Sequence, residues 1–203
     1  FYPRFPENHL VLTARHDDRF VAEDHLARAV AQVRERLGKY IFAYDEDTLE
    51  GIVASLLTEQ GKTLAVAESC TGGLVADRLT DVPGSSRYFE RGLVVYSNSS
   101  KEDLLGVPPE VLRFHGAVSE ETARLMAEGA RARAGTDLGL STTGIAGPSG
   151  GTDRKPVGTV FVALAGEKGT VCREFHFPWG RRRVKEISAQ WALEMLRRYL
   201  AGG

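Results

Sequence analysis

The sequence predicts an α/β fold: a layered α/β/α domain with a mainly parallel sheet, preceded by a partial α+β segment. Two observations carry this. From residue 45 onward, apolar runs of strand length alternate with amphipathic runs of helix length. The spacing between successive runs suits helical crossovers, which parallel strands require. The 203 residues are 42% hydrophobic and 26% charged, enough for one sizeable core plus a smaller module.

Residues 1–44 read as the tail of a cut-off α+β domain. Leu10-Val11-Leu12-Thr13-Ala14 predicts a short strand, and Leu26, Val30, Val33 and Leu37 fall at helical spacing before a stop at Gly38. One strand and one helix cannot close a core alone. The chain begins at Phe1 rather than Met, so it reads as a fragment or a processed chain.

Residues 45–203 form the second module. Asp45-Glu46-Asp47-Thr48 has the character of a helix start, and Leu49, Ile52, Val53, Leu56 and Leu57 supply the apolar stripe. A strand over 62–67 is predicted to feed a helix over 72–81, then a turn at Val82-Pro83-Gly84-Ser85-Ser86. A second strand is expected at Gly92–Tyr96, with Ser97-Asn98-Ser99-Ser100-Lys101 capping the next helix. Ser119-Glu120-Glu121-Thr122 opens a helix carrying Leu125, Met126 and Ala130. A third strand at 138–142 runs out into Thr143-Gly144-Ile145-Ala146-Gly147-Pro148. A hairpin pairs 157–165 with 170–177, and a last helix spans 183–200.

Composition excludes several classes. A net charge of −1 gives no basic field for nucleic acid. Two cysteines, Cys70 and Cys172, make no disulfide framework and suit a reducing, cytoplasmic setting. No apolar run reaches the roughly 18 residues of a membrane span. The five histidines lack ligand spacing, so no metal and no other cofactor is expected. GxGxxG, GxxxxGK[ST] and GxSxG are all missing.

Three predicted strand ends carry small polar loops: Glu68–Gly73, Tyr96–Lys101 and Thr142–Gly151. Open α/β sheets bind ligands beyond such carboxyl ends. Singly, each loop has a plainer reading: a tight turn, a helix cap, a turn-rich linker. Together they form a site. The turn Ser69-Cys70-Thr71-Gly72-Gly73 opens a predicted helix, whose free amides and positive end favour an anion. Cys70 at that position is a rival nucleophile to Ser69, because a helix N-terminus lowers a thiol's pKa.

The ordered set Ala67-Glu68-Ser69-Cys70-Thr71-Gly72-Gly73, Pro83-Gly84-Ser85-Ser86, Phe89-Glu90-Arg91-Gly92, Tyr96-Ser97-Asn98, Lys101, His115-Gly116-Ala117-Val118-Ser119, Gly144-Ile145-Ala146-Gly147-Pro148 and Lys155-Pro156-Val157-Gly158-Thr159 closely resembles the CinA C-terminal family. The likeness covers about residues 45–200. It implies hydrolysis of the carboxamide of nicotinamide mononucleotide, giving nicotinic acid mononucleotide and ammonia. It implies that residues 1–44 end a KH-type domain, although no GXXG loop is intact. Family members form oligomers, so a homodimer is expected, with no membrane or nucleic-acid partner. The alternative from another class is a non-catalytic module that senses pyridine nucleotides or docks to a competence or DNA-damage apparatus.

The resemblance points to a Ser–Lys pair, Ser69 as nucleophile and Lys101 as base, and favours Ser69 over Cys70. A lysine serves as base only when neutral, which burial can bring about. Tyr96 is expected to orient Lys101, and Thr143 with the amides of residues 70–73 to stabilise the oxyanion. Glu68, Cys70, Thr71, Gly72, Gly73, Asn98, Gly144, Ala146 and Gly147 are expected around the substrate. Arg181 matches a basic family position that would meet the phosphate. The chain reads Trp179-Gly180-Arg181 where the family has Gly-Asp-Arg, which leaves Arg181, Arg182 and Lys185 all open for that role.

Overall fold

A computed structural model describes residues 2–202 and divides into two units, one ending at Thr48 and one beginning at Leu49. In the first unit, β1 (Tyr2–Arg4) and β2 (Glu7–His9) pair antiparallel. Helix α1 (Arg19–Leu37) follows, capped by the Asp18 carboxylate, which accepts from the Phe20 amide at 2.8 Å. Gly38 ends α1 as expected, but with right-handed φ, because the chain continues into a 3-10 turn over Gly38–Tyr40. The predicted strand at Leu10–Ala14 does not form. It finds no partner strand among the described residues, and Leu10 and Val11 stay exposed.

The second unit begins with α2 (Leu49–Glu59), β3 (Leu64–Glu68), α3 (Leu74–Thr80) and β4 (Phe89–Val94). It continues with α4 (Asn98–Leu105), α5 (Pro109–Phe114), α6 (Glu120–Ala134) and β5 (Leu138–Gly144). The hairpin β6 (Thr159–Gly166) and β7 (Gly169–His176) leads to α7 (Arg181–Leu200). The sheet order is β4-β3-β5-β6-β7, and only β6 runs against the other four strands. Helices α2, α3 and α7 pack together on one face, and α4, α5 and α6 on the other. This is the layered α/β/α arrangement that the alternation of runs predicts.

β3 is buried at all five positions, as befits a central strand covered on both faces. β4 is the opposite case, an edge strand with no fully buried residue. That difference explains a boundary error. Apolar content pointed to Gly92–Tyr96, whereas pairing with β3 starts at Phe89 and the strand ends at Val94. The Val95 amide still donates to the Glu68 carbonyl at 2.8 Å, which carries the ladder one residue further. α5 was not predicted, since six residues opening on Pro109 give too little periodicity to read.

One glycine sets where α4 lies. Gly129 sits inside α6, where glycine normally weakens a helix. A Cβ there would stand 2.2 Å from the Leu105 carbonyl oxygen, so the last turn of α4 packs on bare α6 backbone. Gly129→Ala is therefore expected to lower stability by about 1–3 kcal/mol by overpacking, although alanine is the better helix former. Chemical denaturation checks this, and an unchanged or raised midpoint would contradict the packing.

Candidate active site

At its carboxyl end β3 connects through α3 on one face of the sheet, while its neighbour β4 connects through α4 on the other. Two adjacent strands whose chains leave to opposite faces open a crevice between their ends. Ser69 follows β3 directly and Lys101 lies one turn into α4, so both reach this crevice. Lys101 is fully buried and Ser69 is 9% exposed. Lys101 Nζ donates to the Val95 carbonyl at 2.7 Å, to Ser69 Oγ at 3.2 Å and to the Tyr96 carbonyl at 3.4 Å. No carboxylate among the described residues forms an ion pair with it. Burial, opposed by the neighbouring Cys70, pulls its pKa below the usual 10.5.

Local sequence places this lysine. Ser97 and Ser100 form a reciprocal capping box, each hydroxyl accepting from the other's amide at 3.1 Å. The box fixes where α4 starts and hence where Lys101 enters. Asn98, the first residue of α4, is exposed at the mouth.

The loop after β3 departs from expectation. Gly72 (φ +64°) and Gly73 (φ +98°) are both left-handed, which explains the glycine pair. Glu68, however, turns toward the chain's own backbone. Its buried carboxylate accepts from the amides of Gly73 at 2.9 Å, Val75 at 3.1 Å and Ala76 at 2.8 Å. The anion site expected at the start of α3 is thus filled by the chain's own carboxylate. Thr71 is also internal: its hydroxyl meets that of Thr142 at 2.6 Å, tying the loop to β5. The Ser69 amide donates to the Thr142 carbonyl at 2.9 Å.

Cys70 is a second correction. Burial first, then the charge of Glu68, pushes its thiol up to about 12, opposite to the lowering expected at a helix N-terminus. Two further assignments change. Thr143 Oγ1 donates to the Ala117 carbonyl at 2.7 Å, so its proton is engaged by backbone. Tyr96 touches Lys101 through its backbone carbonyl, while its exposed side chain reaches Arg181, whose guanidinium donates to Tyr96 Oη at 2.9 Å. The same guanidinium donates to the Gly147 carbonyl at 2.9 Å, joining the ends of β4 and β5 across the mouth.

Gly144 is the last residue of β5, opposite Val160, and Ala146 and Gly147 follow it. Of the three basic candidates, Arg182 pairs with Glu186 at 2.5 Å. Lys185 instead leans over the turn, its Nζ 3.4 Å from where a Cβ of Gly72 would stand. Two roles are not legible in the sequence, although Lys155 belongs to the quoted motif set. The Val95 carbonyl is backbone and leaves no signature. Lys155 donates to the carbonyls of His115 at 2.8 Å and Val118 at 2.6 Å, which steadies the segment holding Thr143. Among the described residues no group of three His, Cys, Asp or Glu side chains could hold a metal, and no helix is long and apolar enough to cross a membrane.

The CinA C-terminal domain model matches residues 46–200. The chain belongs to the CinA family. A CinA-like protein of Syntrophus aciditrophicus is 62% identical over 204 residues, taking in all of this chain and 49% of that protein. The chain therefore spans about half the length of the curated relatives it matches. Among solved structures, the competence damage-inducible protein A of Klebsiella pneumoniae superposes with a TM-score of 0.73 at 35% identity. It covers 75% of this chain and 95% of its own. The competence/damage inducible protein CihA of Agrobacterium tumefaciens gives 0.71 at 39% identity, over 79% of this chain and 99% of its own.

Both thiols of this CinA-family chain are held well above neutral, Cys172 also at about 12 through burial. Neither should react with a disulfide reagent near pH 8 in the folded state, and both should titrate after denaturation. A fast-reacting Cys70 in the folded protein would overturn the assignment of its environment.

Proposed function

We propose that this domain hydrolyses the carboxamide of nicotinamide mononucleotide, with Ser69 as nucleophile and Lys101 as general base. The observation that carries the reading is the set of three partners around Lys101 Nζ. A neutral amine has two N–H groups and one lone pair. With the Val95 and Tyr96 carbonyls accepting the two N–H groups, the lone pair is left for the Ser69 hydroxyl. Burial favours the neutral form.

Ser69 Oγ attacks the carboxamide carbon as its proton passes to Lys101 Nζ. The tetrahedral oxyanion takes donors from the amides of Cys70 and Thr71, next to the nucleophile, because Glu68 holds those of Gly73, Val75 and Ala76. Lys101 returns the proton to the departing nitrogen and ammonia leaves. The resulting ester on Ser69 is cleaved by a water that Lys101 deprotonates, releasing the carboxylate and restoring the hydroxyl. Serine and lysine together thus cover nucleophile, base and acid without a histidine.

Ammonia release from nicotinamide mononucleotide tests the reading and should persist in excess chelator. Ser69→Ala and Lys101→Ala should each cut kcat by at least about 10³-fold, and the double variant should be little worse than either. Additive losses, or a dead Cys70→Ala beside an active Ser69→Ala, would refute the pair.

The pH profile gives an independent check. kcat/KM should rise with pH along a limb set by Lys101, with its midpoint below 10.5. Lys101→Arg, whose guanidinium stays charged, should be inactive throughout. A rate that falls over that limb would contradict a neutral amine as base.

A further inference from the structure

Resting on the function proposed above, we infer that Lys185 anchors the substrate's phosphate, while Arg181 closes the mouth instead of gripping the anion. The phosphate is a dianion and needs a cation or free donors. The start of α3 is unavailable to it, since Glu68 fills the amides of Gly73, Val75 and Ala76. Arg182 lies outside and is engaged with Glu186. Arg181 spends two guanidinium nitrogens on Tyr96 Oη and the Gly147 carbonyl.

Lys185 differs from all of these. It is half-buried on the first turns of α7, and its ammonium forms no hydrogen bond or ion pair among the described residues. Its Nζ hangs over the glycine turn, 3.4 Å from the place a Gly72 Cβ would take. A larger residue at position 72 would press on that ammonium. Ser69 and Gly72 are three residues apart, at most about 10 Å along the chain. That limit keeps the far end of the loop within the span of a mononucleotide, its carboxamide at Ser69 and its phosphate beside Gly72. An ammonium there meets phosphate as a compact point charge, which needs no fixed fork geometry.

The test compares the mononucleotide with its phosphate-free riboside. Lys185→Ala should shrink the preference in kcat/KM for the nucleotide over the riboside by about 10- to 100-fold, with the change in KM. Lys185→Arg should restore most of it. Arg181→Ala should lose activity on both substrates by a similar factor. Inorganic phosphate should compete against the riboside in wild type, and this competition should weaken in Lys185→Ala. Equal losses on both substrates in Lys185→Ala, or an unchanged preference, would overturn the assignment. Should wild type release no ammonia, the catalytic reading falls and calorimetry decides the anchor separately. Nicotinic acid mononucleotide bound more weakly by Lys185→Ala than by wild type supports it, and equal binding refutes it.

Discussion

Burial of an uncompensated amine is the constraint around which this fold is arranged. Lys101 loses all contact with solvent and gains no carboxylate partner among the described residues. An ammonium in that place would incur several kcal/mol of desolvation, so the neutral form gains weight. Its folded pKa lies below the unfolded value, so in the window between them the folded state binds fewer protons. The stability penalty from this group is therefore greatest on the acid side and is relieved as pH rises toward 10.5. A chain selected for stability alone would bury an apolar residue here. The lysine persists together with two backbone acceptors that can satisfy an amine.

Those acceptors depend on backbone elsewhere. The Val95 carbonyl is available because β4 ends at Val94 and turns into the Ser97 cap, with the Val95 amide still bound to Glu68. α4 comes close enough only because Gly129 lets its last turn lie on α6 backbone. On the other side of the crevice, Glu68 replaces an external anion at the start of α3 and leaves Ser69 on a loop with little freedom. Position in the sheet, capping and helix packing thus converge on one contact of 3.2 Å.

The layered fold was legible because strands buried on both faces read as short continuous runs and helices as periodic stripes. β3, β5 and α6 carry their pattern in side chains that face a core. The pattern fails where burial fails. β4 lies at the edge and starts three residues before its expected position, and Leu10–Ala14 has apolar content without a partner strand among the described residues. Within the site, Ser69 and Lys101 could be named from their motifs, but the roles of Glu68, Tyr96 and Thr143 could not. Each carries a polar group able to face either a ligand or the protein's own backbone. Only three-dimensional accounting of those backbone groups decides between the two. Glu68 illustrates this best: a carboxylate beside a nucleophile suggests chemistry, whereas three unpaired amides one residue past a turn claim it first.

The same accounting bears on why serine, and not the neighbouring cysteine, faces the base. Side chains alternate across a strand, and the Ser69 amide extends the β3 ladder by bonding to Thr142. Glu68 turns toward α3, so Ser69 turns toward α4 and Lys101, and Cys70 returns to the side of Thr142. β5 alternates in step. Ser141 and Thr143 donate to carbonyls of Ala123 and Ala117 on the α6 side, and Thr142 meets Thr71 on the other. A thiol is the stronger nucleophile once ionised, but ionisation needs a base or a positive field on its own side of the strand. Cys70 has instead a buried carboxylate for a neighbour and stays protonated. Exchanging the two residues would place the thiol against the amine and the hydroxyl against Thr142. Strand periodicity, more than intrinsic reactivity, thus selects the atom that Lys101 can activate.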